Sequence, residues 1–134
     1  MSELAYMILP SLFIAGTREK GRGVFTAEDI SKKTVVEMSP VIVMPKKDRL
    51  LIDKTLLYYY IFEWGPKRDK CCMALGYVPM YNHSYTSNCE YEMDYDNEYM
   101  VIRTVRDVKA GEELTINYNG EWNGQTKIWF DVKE

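Results

Sequence analysis

The chain has 134 residues and 46% of them are hydrophobic, which is enough for one domain with a single buried core. Its formal net charge is −3, which argues against direct binding of nucleic-acid phosphates, because proteins that do so usually carry a basic face. The sequence contains no run of about 18 apolar residues and does not open with a basic segment followed by an apolar one. Neither a membrane span nor a secretory signal is therefore predicted.

The cysteines and the histidine argue against a metal site. Cysteine occurs at Cys71, Cys72 and Cys89, and His83 is the only histidine. The odd number of cysteines and the lack of a C-x-x-C pair are not typical of a disulfide framework or a zinc site. We therefore predict no bound metal and a reducing compartment.

The first third of the chain has the pattern of short strands. Leu4–Leu9 and Leu12–Ala15 are apolar runs, and Gly16–Gly23 is a polar loop that contains glycines. An apolar run resumes at Val24 and Phe25. We expect this region to form antiparallel strands joined by turns.

A longer strand and one helix are predicted next. The β-branched stretch Thr34–Val43 predicts a strand with a break at Ser39-Pro40. One principal helix is predicted over Asp48–Trp64, because leucine, isoleucine and tyrosine recur there at helical spacing. Asp48 is the candidate cap of this helix, and a Gly-Pro pair ends it.

The second half of the chain predicts irregular structure followed by strands. Cys71–Asn88 has no clean period and is punctuated by Gly, Pro, Asn and Ser, so it is predicted to be ordered irregular chain. Glu90–Ile102 predicts a hairpin with its turn near Asp94–Asn97, and a turn at Lys109–Gly111 precedes a last strand, Leu114–Tyr118. The pattern as a whole predicts a β-rich α+β fold.

Three segments combine residue types that suit a chemical site. Lys20-Gly-Arg-Gly-Val-Phe25 places two glycines before a strand, where the backbone can approach a polar ligand closely. Tyr81-Asn-His-Ser-Tyr-Thr-Ser-Asn88 carries amide and imidazole groups that both donate and accept hydrogen bonds. Gly111-Glu-Glu-Leu-Thr-Ile-Asn-Tyr118 is a turn and a strand that ends in a phenol. Taken singly, each is more often an ordinary turn, a structural histidine or a packing tyrosine.

Together, the order and spacing of these motifs resemble the SET-domain protein-lysine methyltransferases. G-x-G near the start, N-H-S-x-x-x-N in the middle and G-E-E-L-T-x-x-Y near the end match that family from about Gly16 to Tyr118. Tyr60-Ile-Phe-Glu-Trp64 and Ala74-Leu-Gly-Tyr77 are similar to short single-domain SET proteins of bacteria and viruses. The resemblance implies a SET fold of several small sheets, one main helix and a C-terminal pseudoknot. It implies a single domain over residues 1–134, with a core at about 12–118 and an aromatic tail at 119–134.

The resemblance also implies a cofactor and a set of site residues. S-adenosyl-L-methionine is the expected methyl donor, S-adenosyl-L-homocysteine the product, and no metal takes part. Cofactor contacts are expected at Lys20, Gly21, Arg22, Gly23, Tyr60, Asn82 and His83. The substrate channel is expected at Tyr81, Ile116, Tyr118 and Trp122, with Tyr118 as the catalytic residue. Tyr58 and Tyr59 adjoin Tyr60 and leave its register open.

Some positions depart from the family's pattern. Tyr85 and Ser87 stand where the middle motif has cysteine and proline, and Asn117 stands where the residue before the catalytic tyrosine is usually Asp. The flanking cysteine-rich zinc segments are absent, so other residues must close the lysine channel. The candidates are Trp122, Trp129 and Phe130, which could equally well cover the core or form a dimer contact. The departures leave an alternative function: a catalytically weak or inactive SET-fold module that binds a peptide or protein partner.

The implied reaction requires a neutral lysine amine to displace a sulfonium methyl. Free lysine has a pKa near 10.4, and both burial and a nearby cation lower it, so a dedicated base is not required. Tyr118 is expected to orient the amine, with its own pKa falling beside the cation. Ile116, two residues earlier, has no hydroxyl to hold water, which favours di- or trimethylation.

The expected partner is a lysine-containing basic protein or peptide, with histones and histone-like proteins among the candidates. Five acids alternate with other residues from Glu90 to Glu98, and on one strand they would share a face that could steer such a substrate. A turn near Asp94–Asn97 would break that face and leave a solvated hairpin edge.

No direct contact with nucleic acid or membrane is predicted, and a homodimer is an open alternative by analogy. A bacterial cytoplasmic location is favoured by the lack of flanking domains, and a nuclear location is the alternative for a eukaryotic or viral source.

Overall fold

The computed structural model describes residues 5–119, which form ten strands and one α-helix. The strands are β1 (Met7–Ile8), β2 (Leu12–Gly16), β3 (Arg22–Thr26), β4 (Val35–Met44), β5 (Phe62–Trp64), β6 (Lys70–Ala74), β7 (Asn82–His83), β8 (Cys89–Asp94), β9 (Tyr99–Thr104) and β10 (Glu113–Ile116). The helix α1 spans Lys46–Ile52, and two short 3₁₀ segments span Leu56–Tyr59 and Val78–Met80.

These strands form two sheets. The larger sheet has the order β5-β6-β4-β9-β8, with β1 paired to β4 beside that path. The smaller sheet has the order β2-β3-β10-β7. Its β10–β7 pair is parallel, while the other pairs are antiparallel. This parallel pair places the middle motif of the sequence directly beside the last one.

The core lies between apolar faces contributed by both sheets. β9 alternates half-buried and buried residues, which is the pattern of a strand with one face on a core. The fully buried side chains include Met100 and Ile102 from β9 and Leu114 and Ile116 from β10. The predicted β-rich fold with one main helix is confirmed, and its strands are arranged in two sheets.

The predicted break in the longer strand is wrong, because β4 runs without interruption through Ser39 and Pro40. Pro40 is the last residue of β4 that pairs with β9, and Val41 is the first that pairs with β6. Proline has no N–H to donate, and its carbonyl accepts from the backbone N–H of Leu75 at 3.0 Å. The residue therefore fits at the point where the strand changes partners.

The predicted helix over Asp48–Trp64 is wrong in its extent and its cap. The helix begins after Pro45, so Asp48 lies in its first turn, and it ends at Ile52. The residues that follow form a 3₁₀ turn and then β5. The Thr55 side chain accepts the Leu57 N–H at 3.2 Å and starts that new turn, a local bond of the kind that competes with a continuing helix.

Apolar residues recur at helical spacing over Asp48–Trp64, but none of the residues of α1 is buried. Helical spacing predicts a helix only when the apolar stripe packs against a core. Here the large side chains of α1 and the following turn are exposed, namely Leu50, Leu51, Leu56, Leu57, Tyr58 and Tyr59.

The second half of the chain confirms one prediction and corrects two. The hairpin is confirmed as β8 and β9, joined by a turn after Asp94. Of the two alternatives for the five acids, the structure has the one in which this turn interrupts their shared face, and the Arg103 guanidinium lies 3.8 Å from the Glu90 carboxylate and 3.3 Å from the Glu92 carboxylate. The irregular centre is wrong at its start, where β6 pairs with both β4 and β5. The last strand ends at Ile116 instead of Tyr118.

Within residues 5–119, no helix is long and apolar enough to cross a membrane. The same residues contain no group of three or more His, Cys, Asp or Glu side chains arranged to hold a metal ion.

Candidate functional site

Tyr118 lies just beyond β10 and is held at both ends by the middle motif. Its backbone N–H donates to Nδ1 of His83 at 2.9 Å, and its hydroxyl donates to the carbonyl of Tyr81 at 2.7 Å. The rings of Tyr118 and His83 lie 5.1 Å apart. Because Nδ1 of His83 accepts a bond, the neutral ring carries its proton on Nε2. The parallel pairing of β7 and β10 produces this arrangement.

Burial raises the pKa of Tyr118, and the neighbouring Glu113 and Tyr60 raise it further. Its hydroxyl therefore stays protonated at neutral pH and remains a donor to the Tyr81 carbonyl. The expected fall of the Tyr118 pKa applies when a cation is bound beside the hydroxyl. In the protein without that cation the pKa rises, because burial destabilises the charged phenolate.

A second group of bonds ties the middle motif to β10. The Asn88 side chain donates from Nδ2 to the Glu113 carbonyl at 2.9 Å and accepts the Thr115 N–H at 2.9 Å. The backbone N–H of Ser84 donates to the Ile116 carbonyl at 3.0 Å. Asn88 is only 2% exposed, so these bonds are shielded from water. They hold together the two segments that the predicted pseudoknot combines.

The glycine loop meets the same two segments at Asn82. Nδ2 of Asn82 donates to the carbonyl of Arg22 at 3.0 Å and to the carboxylate of Glu113 at 2.7 Å. The ammonium group of Lys20 lies 3.9 Å from the same carboxylate. All three sequence motifs therefore converge on Asn82 and Glu113.

Gly23 leaves the room for this approach. A Cβ atom added to Gly23 would lie 2.9 Å from Nδ2 of Asn82 and still closer to the Glu113 carboxylate. Contacts this short would force the ends of these two side chains to move. The missing side chain of Gly23 thus leaves the room in which the loop, Asn82 and Glu113 meet.

Glu113 is not among the site residues predicted from the sequence. The only signal for it is its place in the G-E-E-L motif, where an acid after a turn is usually an exposed, solvated residue. Its contacts with Asn82 and Lys20 become visible only in three dimensions.

A cavity of about 420 Å³ opens beside Tyr118. Aromatic side chains dominate its lining, namely Tyr58, Tyr59, Tyr60, Phe62, Tyr91, Tyr95 and Tyr118. Its charged lining residues are Arg49, Asp53, Glu63 and Arg68. Aromatic rings beside charged groups of both signs suit a long side chain with an apolar stem and a polar end.

Three consecutive tyrosines, Tyr58, Tyr59 and Tyr60, all line the cavity. Tyr60 is one of the groups that raise the pKa of Tyr118. The register in which Tyr60 is the aromatic residue beside the reacting groups stays a prediction.

The remaining predicted channel residues lie elsewhere. Tyr81 and Ile116 are buried in the core, and their side chains are not part of the cavity lining. Tyr81 contributes its carbonyl to Tyr118, while its hydroxyl donates to Glu37 at 2.9 Å. Trp122, Trp129 and Phe130 lie outside the described residues.

Comparisons with known proteins agree with this geometry. A sequence profile of the SET domain matches residues 21–119. The chain is 34% identical over 126 residues to the histone-lysine N-methyltransferase of Schizosaccharomyces pombe that is specific for H3 lysine 37. That match covers 93% of this chain and 80% of the relative.

Two further matches cover different shares of their partners. A histone-lysine N-methyltransferase SETD7 of Halocynthia roretzi is 36% identical over 62 residues, which are 44% of this chain and 16% of that protein. A solved structure of a Plasmodium falciparum protein, provisionally named a histone methyltransferase, superposes with a TM-score of 0.64 at 25% identity. The superposition covers 86% of this chain and 98% of that one.

Proposed function

The chain belongs to the SET-domain family of methyltransferases, and on that premise we propose that it transfers methyl groups from S-adenosylmethionine to a lysine side chain of a basic protein. The observation that carries the proposal is Tyr118, held by His83 and Tyr81 at the wall of an aromatic cavity. That geometry fixes a phenol beside a space suited to a lysine side chain.

The glycine loop and Asn82 fit the cofactor. Gly23 lets the loop backbone lie against Asn82 and Glu113, because a side chain at this position would meet both of them. Asn82 directs its Nδ2 hydrogens to Arg22 and Glu113, which leaves Oδ1 to accept from a cofactor ammonium. The other members of the proposed set are Lys20, Gly21, Arg22, Tyr60 and His83. When bound, S-adenosylmethionine supplies the methyl group of its sulfonium, and S-adenosylhomocysteine is the product.

The residues of the cavity prepare the lysine. Burial of the amine, together with the positive charge of a bound sulfonium, would lower the pKa of the substrate amine, so that a larger fraction of it is neutral. The hydrogen bond from the Tyr118 hydroxyl to the Tyr81 carbonyl fixes the direction of the O–H, and a phenol oxygen can accept an amine N–H while its O–H donates. Tyr118 therefore orients the nucleophile, and alignment of this kind contributes roughly 7–11 kcal/mol in well-oriented reactions.

The positions that depart from the family's pattern are accommodated by local contacts. The Ser87 hydroxyl donates to the Cys89 carbonyl at 3.0 Å, and the ring of Tyr85 packs edge-on at 4.5 Å from His83. Oδ1 of Asn117 accepts the Asn119 N–H at 3.0 Å. These contacts support an intact site and therefore favour the enzyme over the alternative, a SET-fold module that only binds a partner.

The substrate is proposed to be a histone or a histone-like basic protein, because two relatives are named for histone lysines. Ile116 offers no hydroxyl to retain water beside the amine, which favours addition of more than one methyl. The homodimer, the lack of direct nucleic-acid contact, the absence of a metal and the cytoplasmic location stay predictions. A histone substrate would favour the nuclear alternative.

Transfer of labelled methyl from S-adenosylmethionine to a panel of histones and other basic proteins tests the function. We expect label on lysine with the wild-type protein and a rate at least about tenfold lower for Tyr118→Phe, a loss of roughly 1.4 kcal/mol of transition-state stabilisation. The same variant should bind the cofactor normally in calorimetry. No label on any substrate, together with no heat of cofactor binding, contradicts the enzyme. Cofactor or peptide binding without transfer would favour the binding module.

A further inference from the structure

Glu37 is an ionisable side chain in the middle of β4 that is 0% exposed. Its Oε2 accepts from the Ser39 hydroxyl at 2.6 Å and from the Tyr77 backbone N–H at 2.8 Å. Its Oε1 accepts from the Tyr81 hydroxyl at 2.9 Å, and the Val78 backbone is a further partner. Burying a carboxylate is costly, and these hydrogen bonds offset part of that cost.

The partners of Glu37 are all donors, so they match an ionised carboxylate, which only accepts. Burial raises the pKa of Glu37, and the bonds from Ser39, Tyr77, Tyr81 and Val78 oppose that rise. No Lys or Arg of the described residues forms an ion pair with it. The carboxylate is thus held by hydrogen bonds alone.

The carboxylate also fits closely against the turn at Gly76. Gly76 has φ +66°, and a Cβ there would overlap the Glu37 carboxylate and the Ser39 hydroxyl. A residue with a side chain at position 76 would therefore displace the carboxylate or the hydroxyl.

The donors are concentrated on one short segment. Tyr77 and Val78 begin the 3₁₀ turn that leads to Tyr81, so Glu37 binds both ends of the segment from residue 77 to 81. The carbonyl of Tyr81 is the group that accepts the Tyr118 hydroxyl. Tyr81 itself is only 1% exposed, which confines its side chain to this position.

Building on the function proposed above, we propose that Glu37 and Tyr81 are positioning residues: Glu37 fixes the segment that ends at Tyr81, and the Tyr81 carbonyl aims the Tyr118 hydroxyl. A structural role alone does not require a charge here, because buried ionic groups can often be replaced by apolar residues of similar volume without loss of stability. An apolar residue at position 37 could not form hydrogen bonds with both ends of the segment from residue 77 to 81.

Two matched variants separate positioning from general stability. Tyr81→Phe and Ser39→Ala each remove one hydroxyl donor from Glu37, but only Tyr81 carries the carbonyl that accepts from Tyr118. In methyl transfer to a histone peptide, we expect Tyr81→Phe to lower kcat by about tenfold with little change in KM, the pattern of an interaction used in the transition state. Ser39→Ala should stay within about twofold of the wild-type kcat, because the other donors still hold the carboxylate.

The second measurement does not depend on activity. Proteins labelled with ¹³C at tyrosine Cζ report the hydrogen bonding of each phenol by NMR, and Tyr118→Phe identifies the Tyr118 signal. We expect Tyr81→Phe and Glu37→Gln to shift that signal and Ser39→Ala to leave it in place. Circular dichroism and thermal unfolding establish that each variant is folded, and Glu37→Gln serves if Tyr81→Phe does not fold.

Equal losses of kcat in Tyr81→Phe and Ser39→Ala, or an unshifted Tyr118 signal in both Tyr81→Phe and Glu37→Gln, overturn the positioning role. If the wild-type protein transfers no methyl to any substrate, the proposed function fails, and the NMR measurement still decides whether Glu37 and Tyr81 orient Tyr118.

Discussion

At the scale of single residues, Tyr118 and Glu113 show what a motif can and cannot indicate. Tyr118 could be predicted because a phenol at the end of G-E-E-L-T-x-x-Y is a specific signal when two other motifs accompany it. Glu113 belongs to the same motif, yet its contacts with Asn82 and Lys20 depend on distances between separate segments. No local pattern of residue types contains those distances, so its place in the site could not be predicted.

Gly23→Ala tests whether the close approach at the glycine loop matters for the cofactor. The added methyl group would collide with the Asn82 amide and the Glu113 carboxylate, so we expect cofactor affinity to fall by about tenfold, or roughly 1.4 kcal/mol. Isothermal calorimetry with S-adenosylmethionine measures this. Gly16→Ala is the matched control, because a Cβ there meets nothing within 4 Å. Equal affinities in the two variants would contradict the prediction.

At the scale of elements, strands were predicted better than the helix because period-two alternation and turn residues are local signals. The exceptions have tertiary causes. β4 tolerates Pro40 because it changes partners there, and the predicted helix stops at Ile52 because its apolar stripe finds no core to pack against. The β7–β10 pair could be expected only from the family resemblance, since neither two-residue β7 nor its distant partner carries a pairing signal.

Asn88→Ala tests the bonds that join the middle motif to β10. It removes the bonds to the Glu113 carbonyl and the Thr115 N–H and leaves both groups unsatisfied in a buried place, so we expect a loss of about 2–3 kcal/mol in the free energy of unfolding. Urea unfolding followed by circular dichroism provides the measurement. Asn97→Ala is the control, because Asn97 bonds only to Asp94 in an exposed turn. A similar small loss of unfolding free energy in both variants would contradict a stabilising role of the Asn88 hydrogen bonds.

At the scale of the whole molecule, the two sheets enclose thiols that the sequence alone could not place. Burial raises the pKa of Cys72 and of Cys89 to about 12. Their sequence context gives no sign of this, because the neighbours that bury them come from other strands. The overall class, a β-rich α+β domain, could be predicted from composition and turn spacing.

The buried thiols of Cys72 and Cys89 are expected to lower the free energy of unfolding as the pH becomes alkaline. A folded pKa above the ordinary value means that the folded state holds the proton more tightly, so the stability is fully present below about pH 9 and is lost as pH rises toward about 12. We expect the free energy of unfolding to fall by about 2–3 kcal/mol per thiol by pH 11. Urea midpoints measured from pH 8 to 11 test this.

Cys72→Ala and Cys89→Ala provide the comparison for the pH series. Each variant should be less stable than the wild type at pH 8, because a buried side chain is shortened. The free energy of unfolding of each variant should also fall less steeply than that of the wild type as the pH rises. Midpoints that decline with the same slope in the wild type and both variants would show that other groups cause the effect.

The hydrogen bond from the Tyr118 N–H to the His83 ring joins residues that are 35 positions apart in sequence. On the ribosome, the glycine loop and the middle motif emerge well before β10, which completes both the smaller sheet and the environment of Tyr118. Contacts between distant segments form late, because their loops must close first. The nascent protein therefore reaches its competent state only after nearly the whole SET domain has left the exit tunnel, and until then the edge of β3 that later pairs with β10 lacks its strand partner.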